Sequence, residues 1–184
     1  ALVLGIAQQL MRSGLPIRFG KPLATSLEWD PAKGPLPQPL IDDDVRFVGD
    51  TLGLPDSHLI PSLHLLSPTT ATLRLGQGDL RAGEGFDQLK QSLAAQEGFT
   101  LLECAGSLQE GLLYGLSLPQ LAQGLDAKVV LVHLWRDSCS VDALLAAKQA
   151  LGDHLAGVVL NAVTPDEVES LERQVVPALE NLGL

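Results

Sequence analysis

Cysteine is scarce. Cys104 and Cys139 are the only two thiols in 184 residues, too few for a disulfide scaffold or a Cys-rich zinc site. Their isolated positions suit a reducing compartment, and each reads as a small packed hydrophobe rather than a nucleophile. Basic residues are outnumbered as well: 12 Lys and Arg against 22 Asp and Glu leave a formal net charge of -10. Such a chain repels a phosphate backbone, so nucleic acid is not an expected partner. No apolar run reaches the length of a membrane span. The opening Ala1 to Ala7 is interrupted by Gln8 and Gln9 and ends at Arg12-Ser13-Gly14, and without a basic n-region it does not read as a signal peptide. Ser138, Cys139 and Ser140 have no His or acid at a motif spacing, which leaves a hydrolase triad without support. There is no internal repeat. A cytoplasmic domain with no membrane partner is the expectation.

What the chain does have is core-forming material, with 46% hydrophobic residues, enough for one sizeable domain over 1–184. Residues 1 to 13 read as a helix apolar on nearly every side, which belongs in a protein's interior. No capping residue precedes Ala1, so the chain is expected to start in mid-element. Ile17 to Leu23 suits a strand and its exit, closed by Lys21-Pro22. Residues 24 to 40 hold Pro31, Pro35, Pro37 and Pro39 with Gly34 and read as a long loop. Asp42-Asp43-Asp44 opens a helix with Val45, Val48 and Leu52 on one face, stopped by Gly53 and Pro55. His58 to Leu66 is ambiguous around Pro61. Ser67-Pro68 marks the cap and first residue of a short helix through Leu75, and Phe86, Leu89 and Leu93 mark another that ends near Gly98.

The second half is more regular. Strands are expected at Phe99–Glu103, Lys128–Leu134 and Gly157–Asn161. Helices are expected at Leu118–Gly124, at Ser140–Leu151 with Val141, Leu144, Leu145 and Leu151 on one face, and over Val168, Leu171, Val175, Leu179 and Leu182. Apolar strands alternating with helices predict an α/β fold, doubly wound, with a mainly parallel sheet flanked by helices on both faces.

In such sheets ligands bind beyond the carboxyl ends of the strands, where Lys21, Glu103, the Trp135–Ser138 turn and Asn161 fall. Lys21 could place an ammonium on a phosphate or carboxylate, or be a solvated strand-end lysine. Glu103, followed by the flexible Ala105-Gly106-Ser107, could bind Mg²⁺, or be a capping or ion-paired glutamate. Asp42, Asp43 and Asp44 could add a second Mg²⁺ ligand, although three acids at a helix start are by default a solvated cap. Asn161 offers the donor and acceptor needed to read an adenine edge, and is also a common strand-to-loop residue. His133, inside a strand, reads as a packed core residue.

The ordered set Gly20-Lys21-Pro22, Asp44, Leu101-Leu102-Glu103-Cys104-Ala105-Gly106 and Val158-Val159-Leu160-Asn161 resembles the dethiobiotin synthetase family of P-loop NTPase domains. Val141 to Lys148, followed by Leu151-Gly152-Asp153, resembles more closely the related domain at the N-terminus of phosphotransacetylase-family proteins. Two positions depart from the family pattern: Cys104 stands where a glycine usually follows the glutamate, and Ala162 where an acid often follows the asparagine. The family's first strand and glycine-rich phosphate loop are missing from the sequence. The resemblance implies that Lys21 contacts substrate or the transferred phosphate, that Asp44 and Glu103 hold Mg²⁺, and that Thr25, Gly106 and Asn161 lie against ATP.

Three functions fit these expectations. The first is a regulatory domain of a phosphotransacetylase-family protein that senses a nucleotide or small metabolite. The second is an ATP- and Mg²⁺-dependent ligase that activates a carboxylate or carbamate by phosphorylation. The third is a non-catalytic assembly module. The regulator is preferred at this stage, because a doubly wound fold would follow its last helix with another strand where Gly183-Leu184 stops, and so predicts a further C-terminal domain. A homo-oligomer is also expected.

Overall fold

Ile17 to Gly20 forms the middle strand of the first part of the chain because all four residues are buried, which a parallel strand covered on both faces requires. The computed structural model describes residues 2–27, 34–35, 38–78, 84–94 and 98–184. Two compact units, Ala1–Gln120 and Leu121–Leu184, divide the chain. Pro31 and Pro37 of the proline-rich segment and Gly83 lie outside the described residues.

In the first unit, β1 (Ile17–Gly20) runs parallel to β3 (Leu59–Ile60) on one side and β5 (Phe99–Leu102) on the other, with Phe19 beside Leu59 and Leu101. After Lys21-Pro22 the chain enters β2 (Leu23–Ala24), which pairs in parallel with β4 (His64–Leu65). The stretch around Pro61 thus resolves into two short strands rather than one element. Gly20 is needed where it stands, since a Cβ there would meet Ile60 Cβ at 2.5 Å and its carbonyl oxygen at 2.9 Å. Phe19 is fully buried in a cluster with Ile41, Val45 and Val48, a burial that stabilises by about 1.5–3 kcal/mol.

Two helices pack on that cluster. α2 (Asp43–Leu52) is capped by Asp42, whose side chain accepts the Asp44 N–H, and it ends at Gly53, left-handed at φ 66°. That conformation favours glycine and closes the helix where expected. α1 (Leu2–Arg12) departs from expectation: only Ala7 is fully buried, while Leu2 and Met11 are more than a third exposed. Val3 and Leu4 reach the Phe19 cluster, and Gly5, Gln8, Gln9 and Arg12 lie exposed. The helix is therefore one-sided, as a surface helix is. α3 (Pro68–Gln77) begins with Ser67 accepting from the Thr70 N–H and Pro68 in the first turn, and α4 (Glu84–Ala94) buries Leu89. Near the unit boundary, α5 (Leu118–Leu125) buries Leu121 and Ala122.

The second unit is built on β6 (Val129–Leu134), α6 (Ser140–Leu151) and β7 (Leu155–Asn161), with the two strands parallel and Leu134 beside Asn161. Along β6 exposure alternates: Val130, Val132 and Leu134 are about half exposed, with Leu131 and His133 half-buried between them. Such a period of two is the alternation of a strand with one face better covered than the other, within the parallel, helix-flanked arrangement expected from the sequence. α6 buries Leu144 and Leu151 as read from the sequence, with Ala147, but leaves Leu145 exposed.

The last helix is not continuous. α7 (Pro165–Ser170) passes through a π turn at Leu171–Val175 into α8 (Val176–Asn181). Pro177 has no N–H for the carbonyl four residues back, and an extra residue in the preceding turn accommodates the gap. That insertion shifts the helical face, so Leu171 and Leu179 are buried while Val168 and Leu182 are exposed. Among the described residues no helix is long and apolar enough to cross a membrane.

Candidate active site

Lys21 is set where β1 ends, and its backbone is fixed from two sides. Its carbonyl accepts the Ser62 hydroxyl at 2.6 Å, and the next carbonyl, Pro22, accepts the Leu63 N–H at 2.8 Å. One strand over, the Glu103 N–H donates to the Gly20 carbonyl at 2.9 Å, extending the β1–β5 ladder by one rung. Lys21 and Glu103 therefore stand side by side at the carboxyl ends of neighbouring parallel strands.

The Lys21 side chain is buried. Its ammonium donates to Asp44 Oδ2 at 2.6 Å and lies 3.4 Å from each carboxylate oxygen of Asp42. Burial works against that charge, but the Asp44 hydrogen bond and the charges of Asp42, Asp44 and Glu103 outweigh it and raise the Lys21 pKa. The ammonium form is thus secured across the neutral range. Glu103 is shifted upward as well: burial disfavours its carboxylate and Asp44 repels it, against the pull of Lys21.

The two aspartates differ. Asp42 is completely buried, and its Oδ2 accepts the backbone N–H groups of Thr25 at 2.7 Å and Ser26 at 2.9 Å, while Oδ1 accepts the Asp44 N–H at 2.9 Å. Asp44 has a side chain 51% exposed. Sequence reasoning gave Asp42 the solvated-cap role; it does cap α2, but from the interior. Ser62 was not picked out at all, since its only signal is a hydroxyl beside Pro61 in an apolar run.

The structure brings Lys21, Asp44, Glu103 and Thr25 together around Asp42. Thr25 contributes a pinned amide and an exposed side chain. Gly106 is exposed, and a Cβ there would meet only Glu110 Oε2, at 3.8 Å, so the turn after Glu103 has open space on that side. Asn161 belongs to the second unit, where it ends β7; its carbonyl accepts the Trp135 N–H at 2.9 Å and its side chain is exposed. The next residue, Ala162, is left-handed at φ 60°, a conformation that costs a non-glycine residue about 1 kcal/mol. Cys104 matches its reading as a packed thiol: burial, then the Glu103 charge, push its pKa up to about 11, which leaves it protonated and a poor nucleophile.

Three carboxylates lie around one ammonium and leave excess negative charge. Among the described residues no group of three or more His, Cys, Asp or Glu side chains could hold a metal ion. Asp44 and Glu103 would supply two ligands and leave the rest to water and phosphate oxygens, which Mg²⁺ accepts.

Comparisons with known proteins place the chain in a family. The family model described as an AAA domain matches residues 2–182, so the chain belongs to that family. An ATP-dependent dethiobiotin synthetase BioD of Pseudomonas aeruginosa strain UCBPP-PA14 is 32% identical over 184 residues, 97% of this chain and 77% of that protein. The protein of the same name from strain LESB58 is 39% identical over 106 residues, 56% of this chain and 46% of the relative. That of Pseudomonas paraeruginosa strain DSM 24068 / PA7 is 38% identical, also over 106 residues. In the shorter matches the chain spans about half the length of the curated relatives. Within the AAA domain family, the chain is a dethiobiotin synthetase-like P-loop NTPase domain.

Proposed function

We propose that residues 1–184 form one nucleotide-binding domain of an ATP-dependent ligase of dethiobiotin synthetase type, which activates a carboxylate or carbamate as its mixed anhydride with phosphate. The observation that carries this reading is the buried Lys21 ammonium, held by Asp42 and Asp44 at the carboxyl end of β1 beside Glu103. The relatives, whose names read ATP-dependent dethiobiotin synthetase, favour the ligase over the regulatory domain expected from the sequence.

Each residue then has a role. The Lys21 ammonium, kept charged by its neighbours, lies against the negative charge of the transferring phosphoryl group or of the acceptor carboxylate. Asp44 and Glu103 hold Mg²⁺, which when bound neutralises nucleotide charge. Thr25 and Gly106 line the approach to Lys21. ADP formation by the full-length protein tests the reading, with bicarbonate and an alkyl amine supplied so that a carbamate forms. The expected result is ADP release that depends on the amine and falls by about 10²–10³-fold in Lys21→Ala, the loss typical of removing a charge-stabilising group. Amine-independent ADP release, unchanged in Lys21→Ala, would contradict it.

A further inference from the structure

Two carboxylates share the Lys21 ammonium on unequal terms. Asp44 is half exposed, and among the described residues its carboxylate has one hydrogen bond, from Lys21. Asp42 is completely buried and receives three backbone N–H groups besides the ammonium. An ionised carboxylate out of water costs several kcal/mol, and charge-assisted hydrogen bonds to every available donor offset that cost. Each Asp42 oxygen is engaged: Oδ2 by Thr25 and Ser26, Oδ1 by Asp44 and, at 3.4 Å, by Lys21. Asparagine cannot replace it, because its single oxygen would serve one side and its NH₂ would face donors on the other.

We infer that Asp42 is a positioning residue, which holds the Lys21 ammonium and the Thr25–Ser26 backbone in place while Asp44 is surrendered to a bound cation or ligand. The inference rests on the ligase reading for its catalytic consequence only. The sequence carries it in one residue, the first of Asp42-Asp43-Asp44, which closes the exit of β1 onto the start of α2 and so ties Lys21 to a helix terminus. Asp44 can then leave Lys21 without freeing it, since the ammonium keeps the Asp42 carboxylate as its counter-charge.

The test uses the full-length protein and two readouts. The first is amide hydrogen exchange, without any ligand. In the wild type the Thr25 and Ser26 amides are expected to be protected although both residues are surface-exposed, and Asp42→Asn is expected to raise their exchange at least tenfold while Asp44→Asn leaves it unchanged. Unprotected Thr25 and Ser26 amides in the wild type would overturn the inference even if Asp42→Asn failed to fold. The second readout is steady-state ADP formation. Asp42→Asn is expected to lower kcat at least tenfold with KM for ATP within about twofold of wild type, whereas general loosening of the site would raise KM and leave the split absent. Loss of amide protection in Asp42→Asn, in a wild type that forms no ADP, would uphold the anchor and sink the ligase reading alone.

Discussion

The two units spend their polar groups differently. The first has strands of two to four residues and buries Arg18, Lys21, Asp42, Ser62 and Ser117; in the second, with strands of six and seven residues, Ser140 is the one buried polar residue among those described. Regular apolar pairing needs few special side chains, whereas short strands that end in a charged cluster need every partner accounted for. A substitution at the first unit's buried polar positions should therefore cost far more than one in the second unit.

The largest expected effect is at Asp42. Asp42→Ala leaves the buried Lys21 ammonium with one partner and three backbone N–H groups with none, and should lower stability by about 3–5 kcal/mol; Ser140→Ala, which removes the acceptor of the Arg136 N–H, should cost about 1 kcal/mol. Urea unfolding of the two variants checks this, and equal losses would break the comparison. Arg18 sharpens it in the other direction. Its guanidinium is buried with Nε and Nη1 lacking hydrogen-bond partners among the described residues, and burial lowers its pKa. Arg18→Met should then raise stability by about 1–3 kcal/mol, the cost of unsatisfied buried donors. A loss measured in the same urea series would mean that Arg18 has a partner.

Glu103 gives a smaller, pH-dependent effect. Its folded pKa lies above the unfolded value of 4.5, so folding favours the protonated side chain, and a penalty develops as pH rises from below that value through the folded pKa. Glu103→Gln should raise the melting temperature at pH 7, and the gain should vanish as pH falls below the ordinary glutamate range. A gain independent of pH would contradict this sign. The smallest effect compares the cysteines. Cys139 is exposed and should be alkylated first, while Cys104 should resist until pH approaches its value of about 11, as peptide mass spectrometry across a pH series would show.

These contrasts also explain what was legible in the sequence. α2 was readable from its cap to its stop, because Asp42, Val45, Val48 and Gly53 each follow from local geometry. β6 and β7 were readable as apolar runs. The π turn was not, since its cause, Pro177, lies inside an otherwise good helical pattern. Nor was the exposed side of α1, where a run of alanine, leucine and valine hides the face carried by Gly5, Gln8, Gln9 and Arg12. At the site, Lys21 and Glu103 were singled out because strand ends are where ligands bind, and Asp44 through the family resemblance. The part of Asp42 was missed because burial is a tertiary fact: the same residue at the same helix start is a solvated cap unless a loop folds over it, and here Thr25 and Ser26 do so.

The most direct test of the account is calorimetric titration of ATP with Mg²⁺ into the full-length protein, its Glu103→Gln variant and its Lys21→Ala variant. Saturable binding that both substitutions weaken is the predicted result, because both side chains stand at the ends of adjacent strands in one charged cluster. No binding by the intact protein, or binding that neither substitution changes, would contradict it.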